Sequence, residues 1–324
     1  MSSTHSMRLA AGSGPTFGVD DLACAAATHL GCWEDAGLSV EWTPALGGIA
    51  AMKMVLAGEV DAAYGGLGPV LQLRAKGEKL RIVASMARAL AQNLVAQPNI
   101  EKVEQLQGAS WAVDGIGALS HHMGRCIVSA LGIDENDIDW QVIGPPPERI
   151  AHLLSGDIDV SLIRVEEALA LTNADDNDLK MLLGFAELKD LVAVQPHGVL
   201  ATTEAFEEAD AEALSKLARG IIVASRRLYD NFDDFLKTYE HYVSVELPAE
   251  EIEAIWRQER ASDGFAVNGE LSAGHWDGQI ASFAALNPHL SAIDRDTVIA
   301  HRFVRKALAD LGLQKGPDLG PDQI

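Results

Sequence analysis

A glycine-containing turn carries the clearest chemical signal in this sequence. A short apolar run, Trp111–Val113, leads into a turn with Gly115 and Gly117, and a helical pattern begins near Leu119. This order of strand, turn and helix points the free N–H groups of the first helical turn, about residues 118–121, beyond the end of the strand. Such N–H groups can bind an anion. The alternative is an ordinary strand-to-helix turn that binds no ligand.

Three side chains in this turn offer further chemistry. Ser120 could give an anionic oxygen both a hydroxyl and an N–H, or it could serve only its own helix start. His121 could hydrogen-bond a ligand or accept a proton, and Asp114 could orient it or stabilise the turn. Adjacent residues on a helix point in different directions, so we do not expect His121 and His122 to share a metal ion. The sequence therefore predicts neither a metal nor a cofactor.

Composition limits the classes of partner. The chain has 324 residues, of which 48% are hydrophobic, and a formal net charge of −22. This charge argues against nucleic acid and anionic membranes, although a local cluster of N–H groups with one arginine can still bind an anionic ligand. No apolar run is long enough to cross a bilayer. Cys24, Cys32 and Cys126 are irregularly spaced and predict neither a disulfide framework nor a structural zinc site.

A repeat indicates how these residues are positioned. Val40–Trp42 lies 98 residues before Ile138–Trp140, and Leu56–Asp61 lies 98 residues before Leu154–Asp159. The shared register favours two similar α/β lobes over coincidence. Lobes of this kind bind ligands at the carboxyl ends of their strands, so we expect the ligand cleft between the two lobes.

Turn-forming residues and a change to helical patterns predict the division of the chain. We expect lobe one to comprise residues 1–95 and 196–324, including the C-terminal helices, and lobe two to comprise residues 96–195. Met1–Met7 is short and polar and shows no signal peptide. The protein is therefore either cytosolic or derived from a precursor whose export signal was removed.

Several segments resemble the nitrate/sulfonate/taurine-type substrate-binding proteins of ABC importers. In chain order they are His29–Val40, Leu56–Ala63, Val103–Gly108, Gly115–Ser120 and Ser155–Val160. The resemblance covers about Met7 to Tyr239. It implies the two-lobed type II periplasmic-binding-protein fold, in which each lobe is a mostly parallel sheet flanked by helices and the ligand cleft lies between the lobes.

The resemblance also implies a set of ligand-binding residues in the loops that follow matching strands. Carried over position by position, they are Ser13, Thr16, Phe17, Tyr64, Gly65, Gly66, Gly117, Ala118, Leu119, Ser120, His121, Arg164 and His197. Arg164 could bind a carboxylate, sulfonate or phosphate through two hydrogen bonds, or pair with a structural acid such as Glu166 or Glu167. Phe17 and Tyr64 could hold an aromatic or alkyl ligand between them, although core packing is the simpler role for Phe17.

The resemblance implies a solute-binding protein that captures a small organic ligand, anionic or heterocyclic, outside the cytoplasm and docks to an ABC permease. The same superfamily also includes cytosolic enzymes: hydroxymethylpyrimidine phosphate synthases, aromatic sulfinate desulfinases and dihydroxyphthalate decarboxylases. On that hypothesis the chain is a decarboxylase, another lyase or a thiamine-precursor synthase, and His121, Ser120 or Arg164 acts on the bound anion. A cytosolic ligand sensor is a third hypothesis.

Two features favour binding over catalysis. The cysteine-rich iron-binding motif of the synthases is absent, and the first loop offers Ser13 and Thr16 where the desulfinases carry a nucleophilic cysteine. No nucleophile–base pair and no metal-ligand spacing stands out elsewhere in the sequence. We therefore expect the chain to bind its ligand without chemistry.

Overall fold

The chain folds into two compact units. The computed structural model describes residues 5–14, 17–89, 91–192, 198–284 and 288–315. The first unit contains the described residues within 1–90, 195–244 and 248–324, and the second unit contains those within 91–194 and 245–247. Two of the expected ligand-binding residues, Thr16 and His197, lie outside the described residues.

Strands and helices alternate along most of the chain. The strands, in chain order, are β1 (His5–Ala11), β2 (Leu38–Pro44), β3 (Ala62–Gly66), β4 (Leu80–Ser85), β5 (Gln92–Ala96), β6 (Ser110–Val113), β7 (Asp139–Val142), β8 (Val160–Arg164), β9 (Lys180–Leu183) and β10 (Gly198–Thr203). The α-helices, in chain order, are α1 (Leu22–His29), α2 (Cys32–Asp35), α3 (Gly48–Leu56), α4 (Leu67–Ala75), α5 (Leu119–Ala130), α6 (Pro146–Ser155), α7 (Val165–Thr172), α8 (Phe185–Leu191), α9 (Glu204–Ala209), α10 (Ala211–Asp230), α11 (Phe232–Tyr242), α12 (Ala249–Ala261), α13 (Ala273–Ala284), α14 (Arg295–Val298) and α15 (Arg302–Leu311).

Each unit is built on a five-stranded sheet. The order in the first unit is β2-β1-β3-β10-β4, where β1 is parallel to β2 and β3, and β10 runs antiparallel between β3 and β4. The order in the second unit is β7-β6-β8-β5-β9, where β6 is parallel to β7 and β8, and β5 runs antiparallel between β8 and β9. The expected two-lobed α/β architecture is therefore confirmed, and each sheet is mixed, because one antiparallel strand lies among four strands that run in one direction.

The two units share one arrangement of elements in one register. Strands β3 and β8 lie 98 residues apart at both ends, and helices α3 and α6 begin 98 residues apart. The sequence repeat therefore corresponds to repeated elements. The sequence-based boundary between residues 95 and 96 falls inside β5, whose pairing with β8 and β9 places the whole strand in the second sheet.

Apolar side chains determine how the helices pack. The central strands are buried on both faces, as expected for largely parallel sheets with helices on either side. In the first unit α10 carries Leu214, Leu217 and Ile221 on one buried face, and its N-terminus is capped by Asp210, whose carboxylate accepts from the Ala213 N–H at 2.9 Å. This helix packs on α1, α2 and α15, so the C-terminal helices belong to the first unit.

The described residues contain no helix with the length and apolar character of a membrane span.

Candidate functional site

In the first unit, the carboxyl ends of β1 and β3 meet through close backbone contact. The Gly12 N–H donates to the Tyr64 carbonyl at 3.1 Å. A Cβ on Gly12 would lie 2.6 Å from that carbonyl oxygen, and a Cβ on Gly65 would lie 3.2 Å from the Cα of Gly48. Glycine at these positions allows the N-terminus of α3 to approach the ends of both strands.

Aromatic rings fill the space beside these strand ends. The Phe17 ring lies 5.6 Å from Trp42, 5.3 Å from Tyr242 and 6.2 Å from Tyr64, measured between ring centroids. The Phe17 and Tyr64 planes are inclined by 30°. A ring inserted between two others needs about 7 Å, because each stacked pair is separated by about 3.5 Å. The two rings therefore pack on each other in this structure, and the idea that they hold a ligand between them is not supported.

Ser13 is also engaged within the first unit. Its hydroxyl forms a short hydrogen bond with the Tyr64 hydroxyl, and its backbone forms an isolated β-bridge with Leu46. Of the expected residues in this unit, Ser13, Phe17, Tyr64 and Gly65 lie together at the strand ends. Gly66 follows as the residue that precedes the first turn of α4.

In the second unit, the turn between β6 and α5 is closed by its own carboxylate. Asp114 Oδ1 accepts from the Ser120 N–H at 3.2 Å and also forms a short hydrogen bond with the Ser120 hydroxyl. The Ser120 Oγ in turn accepts from the Asp114 N–H at 2.9 Å. The Ala118 N–H is also occupied, since it donates to the Gly115 carbonyl at 3.1 Å.

These contacts bear on the two roles that the sequence left open for this turn. Of the N–H groups at about residues 118–121, those of Ala118 and Ser120 donate within the turn itself. This is what an ordinary strand-to-helix turn would show, and an anion bound by the remaining N–H groups stays a prediction. The Ser120 hydroxyl serves the turn, which is the alternative role that the sequence left open for it.

His121 is oriented by a backbone donor. The Gly117 N–H donates to its Nδ1 at 3.0 Å, so a neutral ring carries its hydrogen on Nε2. Burial lowers the pKa of His121, and the nearby positive charge of Arg125 lowers it further. The ring packs edge-on against Trp140, with centroids 4.9 Å apart. His121 is therefore placed to donate a hydrogen bond through Nε2 rather than to accept a proton at Nδ1.

A cluster of charged groups lies at the same edge of the second sheet. Arg164 ends β8, and Glu167 lies in the first turn of α7. Burial raises the pKa of Glu167, while the positive charges of Arg164 and Arg149 and a hydrogen bond from the Arg164 backbone oppose this shift. The Glu167 carboxylate therefore accepts from the Arg164 backbone N–H at the start of α7. The side-chain ion pair that the sequence offered as one role for Arg164 stays a prediction.

Sequence reasoning missed Arg149, the most buried arginine of this cluster. It lies in α6 with 4% of its surface exposed, and its Nη1 donates to the Ser161 hydroxyl at 3.1 Å and to the Leu162 carbonyl at 2.7 Å. An arginine near the start of a helix is usually exposed to solvent, so its residue type alone was no reason to single it out. The 98-residue repeat could have indicated that this position is buried, because the equivalent residue in the first unit is Ala51.

The expected residues therefore form two groups, one in each unit. In the second unit Gly117, Ala118, Leu119, Ser120 and His121 form one connected turn and helix start, and Arg164 lies on the neighbouring strand of the same sheet. No group of three or more His, Cys, Asp and Glu side chains within the described part of the chain is arranged to bind a metal ion.

Solved structures with the same fold include two binding proteins of known ligand class. The alkanesulfonate-binding protein SsuA from Xanthomonas axonopodis pv. citri, bound to MOPS, matches with a TM-score of 0.67 and 16% identity over 95% of this chain and 99% of that one. The periplasmic nitrate-binding protein NrtA from Synechocystis PCC 6803 matches with a TM-score of 0.69 and 12% identity over 99% of this chain and 92% of that one.

A third similar structure is a DSZB mutant in complex with biphenyl-2-sulfinic acid. It matches with a TM-score of 0.66 and 14% identity over 95% of this chain and 99% of that one. At these identities the three matches establish the fold, which is the expected two-lobed periplasmic-binding-protein fold. No curated protein sequence matches the chain. The NMT1/THI5-like family model matches residues 22–231, and the chain belongs to that family.

Proposed function

We propose that this chain is a solute-binding protein that captures a small organic molecule for an ABC importer. The observation that carries the proposal is the character of the carboxyl ends of its two sheets. They offer hydrogen-bond donors, an arginine cluster and aromatic rings, and two of the catalytic candidates from the sequence, Ser120 and His121, make hydrogen bonds within their own turn. Membership in the NMT1/THI5-like family and the fold shared with sulfonate- and nitrate-binding proteins support the same assignment.

The geometry of His121 and Ser120 weighs against the enzymatic alternative. A general base needs a free lone pair, and the Nδ1 lone pair of His121 accepts from Gly117. The Ser120 hydroxyl donates to the Asp114 carboxylate and accepts from the Asp114 N–H, and both contacts close the turn between β6 and α5. These contacts suit residues that shape a binding surface.

The proposal extends to location and partners. We expect the protein to act outside the cytoplasm, like the periplasmic nitrate-binding protein NrtA, and to deliver its ligand to a membrane permease. The formal net charge of −22 disfavours nucleic acid as a partner.

A ligand screen tests the proposal directly. Sulfonates, carboxylates, sulfinates and neutral heterocycles are added one at a time to the full chain, and the melting temperature is measured. A ligand that binds the native state raises this temperature in a concentration-dependent way. Calorimetry on each hit should give one site per chain.

The Ser129→Ala variant is a suitable control, because Ser129 is exposed on α5 away from the turn. It should bind every hit as the native chain does. Binding without consumption of the ligand supports the proposal. Consumption of the ligand that His121→Gln abolishes would contradict it and favour the enzyme, and the absence of any hit would remove the binding function.

A further inference from the structure

Helix α6, which follows β7, carries a buried guanidinium that has no ion pair among the described residues. Arg149 is 4% exposed, and its Nη1 is anchored to Ser161 and Leu162. Its Nε is fully buried and has no hydrogen-bond partner among the described residues. Nη2, which shares an edge of the guanidinium with Nε, donates to no described residue either. One edge of the group is thus fixed by the protein, and the opposite edge is unused.

This arrangement is unfavourable for a protein that binds nothing there. Burial of a charge is costly unless a counter-charge and hydrogen bonds compensate for it, and an arginine side chain stays charged. The carboxylates of Asp114 and Glu167 influence Arg149 electrostatically, but within the described residues neither forms a salt bridge with it. Arg164 adds a second positive charge nearby.

The unused edge has the geometry that binds oxyanions. The Nε–H and Nη2–H groups of arginine point in the same direction and can donate two parallel hydrogen bonds to a carboxylate, sulfonate or phosphate. Ser161 and the Leu162 carbonyl hold the group from its other side, so it is pre-oriented before any ligand arrives.

Two exposed apolar side chains of the second unit indicate the rest of the ligand. Ile116 in the turn after β6 is 66% exposed, and Val142 at the end of β7 is 58% exposed. Val142 pairs with Val113, the last residue of β6, and Ile116 lies three residues after Val113, so both side chains lie where β6 and β7 end. Covering such exposed apolar groups with an apolar ligand surface lowers the free energy of the complex.

We propose that Arg149 is the charge-recognising residue of the second unit and binds the oxyanion group of a small organic anion whose apolar part contacts Ile116 and Val142. This inference rests on the proposed binding function and names its ligand class. In this proposal Arg149 donates the two parallel hydrogen bonds to the oxyanion, and Arg164 and His121 make supporting contacts.

The test uses pairs of ligands that differ in charge but little in shape. Benzenesulfonate is compared with benzenesulfonamide, methanesulfonate with methanesulfonamide, and benzoate with benzamide, each titrated into the full chain by calorimetry. The variant Arg149→Met removes the charge and keeps most of the side-chain volume. The control Arg125→Gln removes an arginine that is already paired with Glu135 at the surface of α5.

The native chain and Arg125→Gln should bind at least one anion and bind its neutral partner more weakly. Arg149→Met should lose at least about thirtyfold in affinity for the anion, as expected when one partner of a buried charge pair is removed, and change little toward the neutral compound. Its melting temperature without ligand should equal or exceed that of the native chain, because an uncompensated charge is gone. A purely structural role for Arg149 predicts a lower melting temperature instead.

The variant Arg149→Lys keeps the positive charge but lacks the two parallel N–H donors of the guanidinium. It should show an intermediate loss of anion affinity. The inference is overturned if anions and neutral partners bind the native chain alike, if no anion of these pairs binds it, or if Arg149→Met retains anion binding. In those cases a neutral hit from the wider ligand screen would leave the proposed function standing. The absence of any hit in that screen would instead remove the proposed function itself.

Discussion

The two units have one architecture but different chemistry at equivalent positions. Counting 98 residues from the first unit to the second, Ala51 corresponds to Arg149, Ala63 to Ser161 and Gly66 to Arg164. In the first unit Ala51 and Ala63 are fully buried in one apolar cluster between helix and sheet. In the second unit Arg149 and Ser161 are hydrogen-bonded to each other at the corresponding place.

What the units share is explained by folding. Asp61 accepts from the Arg8 N–H at 2.7 Å, and Asp159 accepts from the Ser110 N–H at 2.8 Å, so each aspartate ties the start of a strand to its neighbour. Where the units differ, the second has replaced a close apolar contact by a buried charge. Burial of a charge is costly, and Arg149 has hydrogen bonds but no salt bridge among the described residues, so the difference supports the proposed contact with an anionic ligand.

The largest expected effect on stability comes from placing an arginine in the first unit at the position equivalent to Arg149. Ala51→Arg would bury a charge in an apolar cluster that contains Ala63 at the position equivalent to Ser161. We expect it to lower the free energy of unfolding by about 4 kcal/mol or more, or to prevent folding. Urea denaturation measures the change. Ile49→Arg, at a position 39% exposed on the same helix, is the control and should change little.

If Ala51→Arg were tolerated within about 1 kcal/mol, a buried arginine at this place would need no ligand to compensate it. The contrast between the units would then carry no functional meaning.

A second effect is the acid sensitivity of the second unit. Burial, followed by the charges of Arg125 and His121, lowers the pKa of His122 from 6.5 to about 4. The unfolded chain therefore binds a proton more readily than the folded one, and stability is lost as the pH falls from about 6.5 toward 4. The full difference corresponds to about 3 kcal/mol.

The variant His122→Gln should flatten this part of the pH profile relative to the native chain. Free energies of unfolding at pH 7, 5.5 and 4.5 measure it. Burial also lowers the pKa of His29 in the first unit, so His29→Gln is the matched comparison. A profile that His122→Gln leaves unchanged would show that this histidine is not held neutral by burial.

A third prediction concerns the contact that the units share. Asp159→Ala leaves the Ser110 N–H and hydroxyl without their acceptor, and should lower the free energy of unfolding by about 2 kcal/mol. Asp61→Ala should act in the same direction. The exposed Asp157 is the control, and its replacement by alanine should be nearly neutral. Loss of ligand binding at unchanged stability in Asp159→Ala would contradict the structural role.

The smallest effect concerns the apolar part of the ligand. Ile116→Ser should weaken benzenesulfonate binding by about tenfold or less, because part of one apolar contact is lost. It should leave stability unchanged, since the side chain is 66% exposed. Leu313→Ser, at another exposed apolar residue, should not affect binding. Equal effects of the two substitutions in calorimetry would remove Ile116 from the proposed contact.

The fold could be predicted because its signals are local and repeated. The apolar strand Trp111–Val113, the glycines that end helices and the 98-residue register each constrain the same α/β arrangement, and the structure has all three. The family assignment was confirmed for the same reason.

The site was harder to predict because it depends on which partner each polar group finds. The turn at Gly115–His121 was correctly located, but the sequence did not show that Asp114 would occupy the Ser120 N–H. Arg149 was missed because burial of a helical arginine is a property of packing between α6 and β8. The roles of the other expected ligand-binding residues remain predictions.

Hydrogen exchange followed by mass spectrometry, with benzenesulfonate and then benzenesulfonamide, tests the central claim most directly. The account predicts that the difference in protection between the two compounds lies in the second unit, in peptides that cover the turn after β6, the first two turns of α6 and the end of β8. A difference confined to the first unit, or equal protection by the charged and the neutral compound, would contradict it.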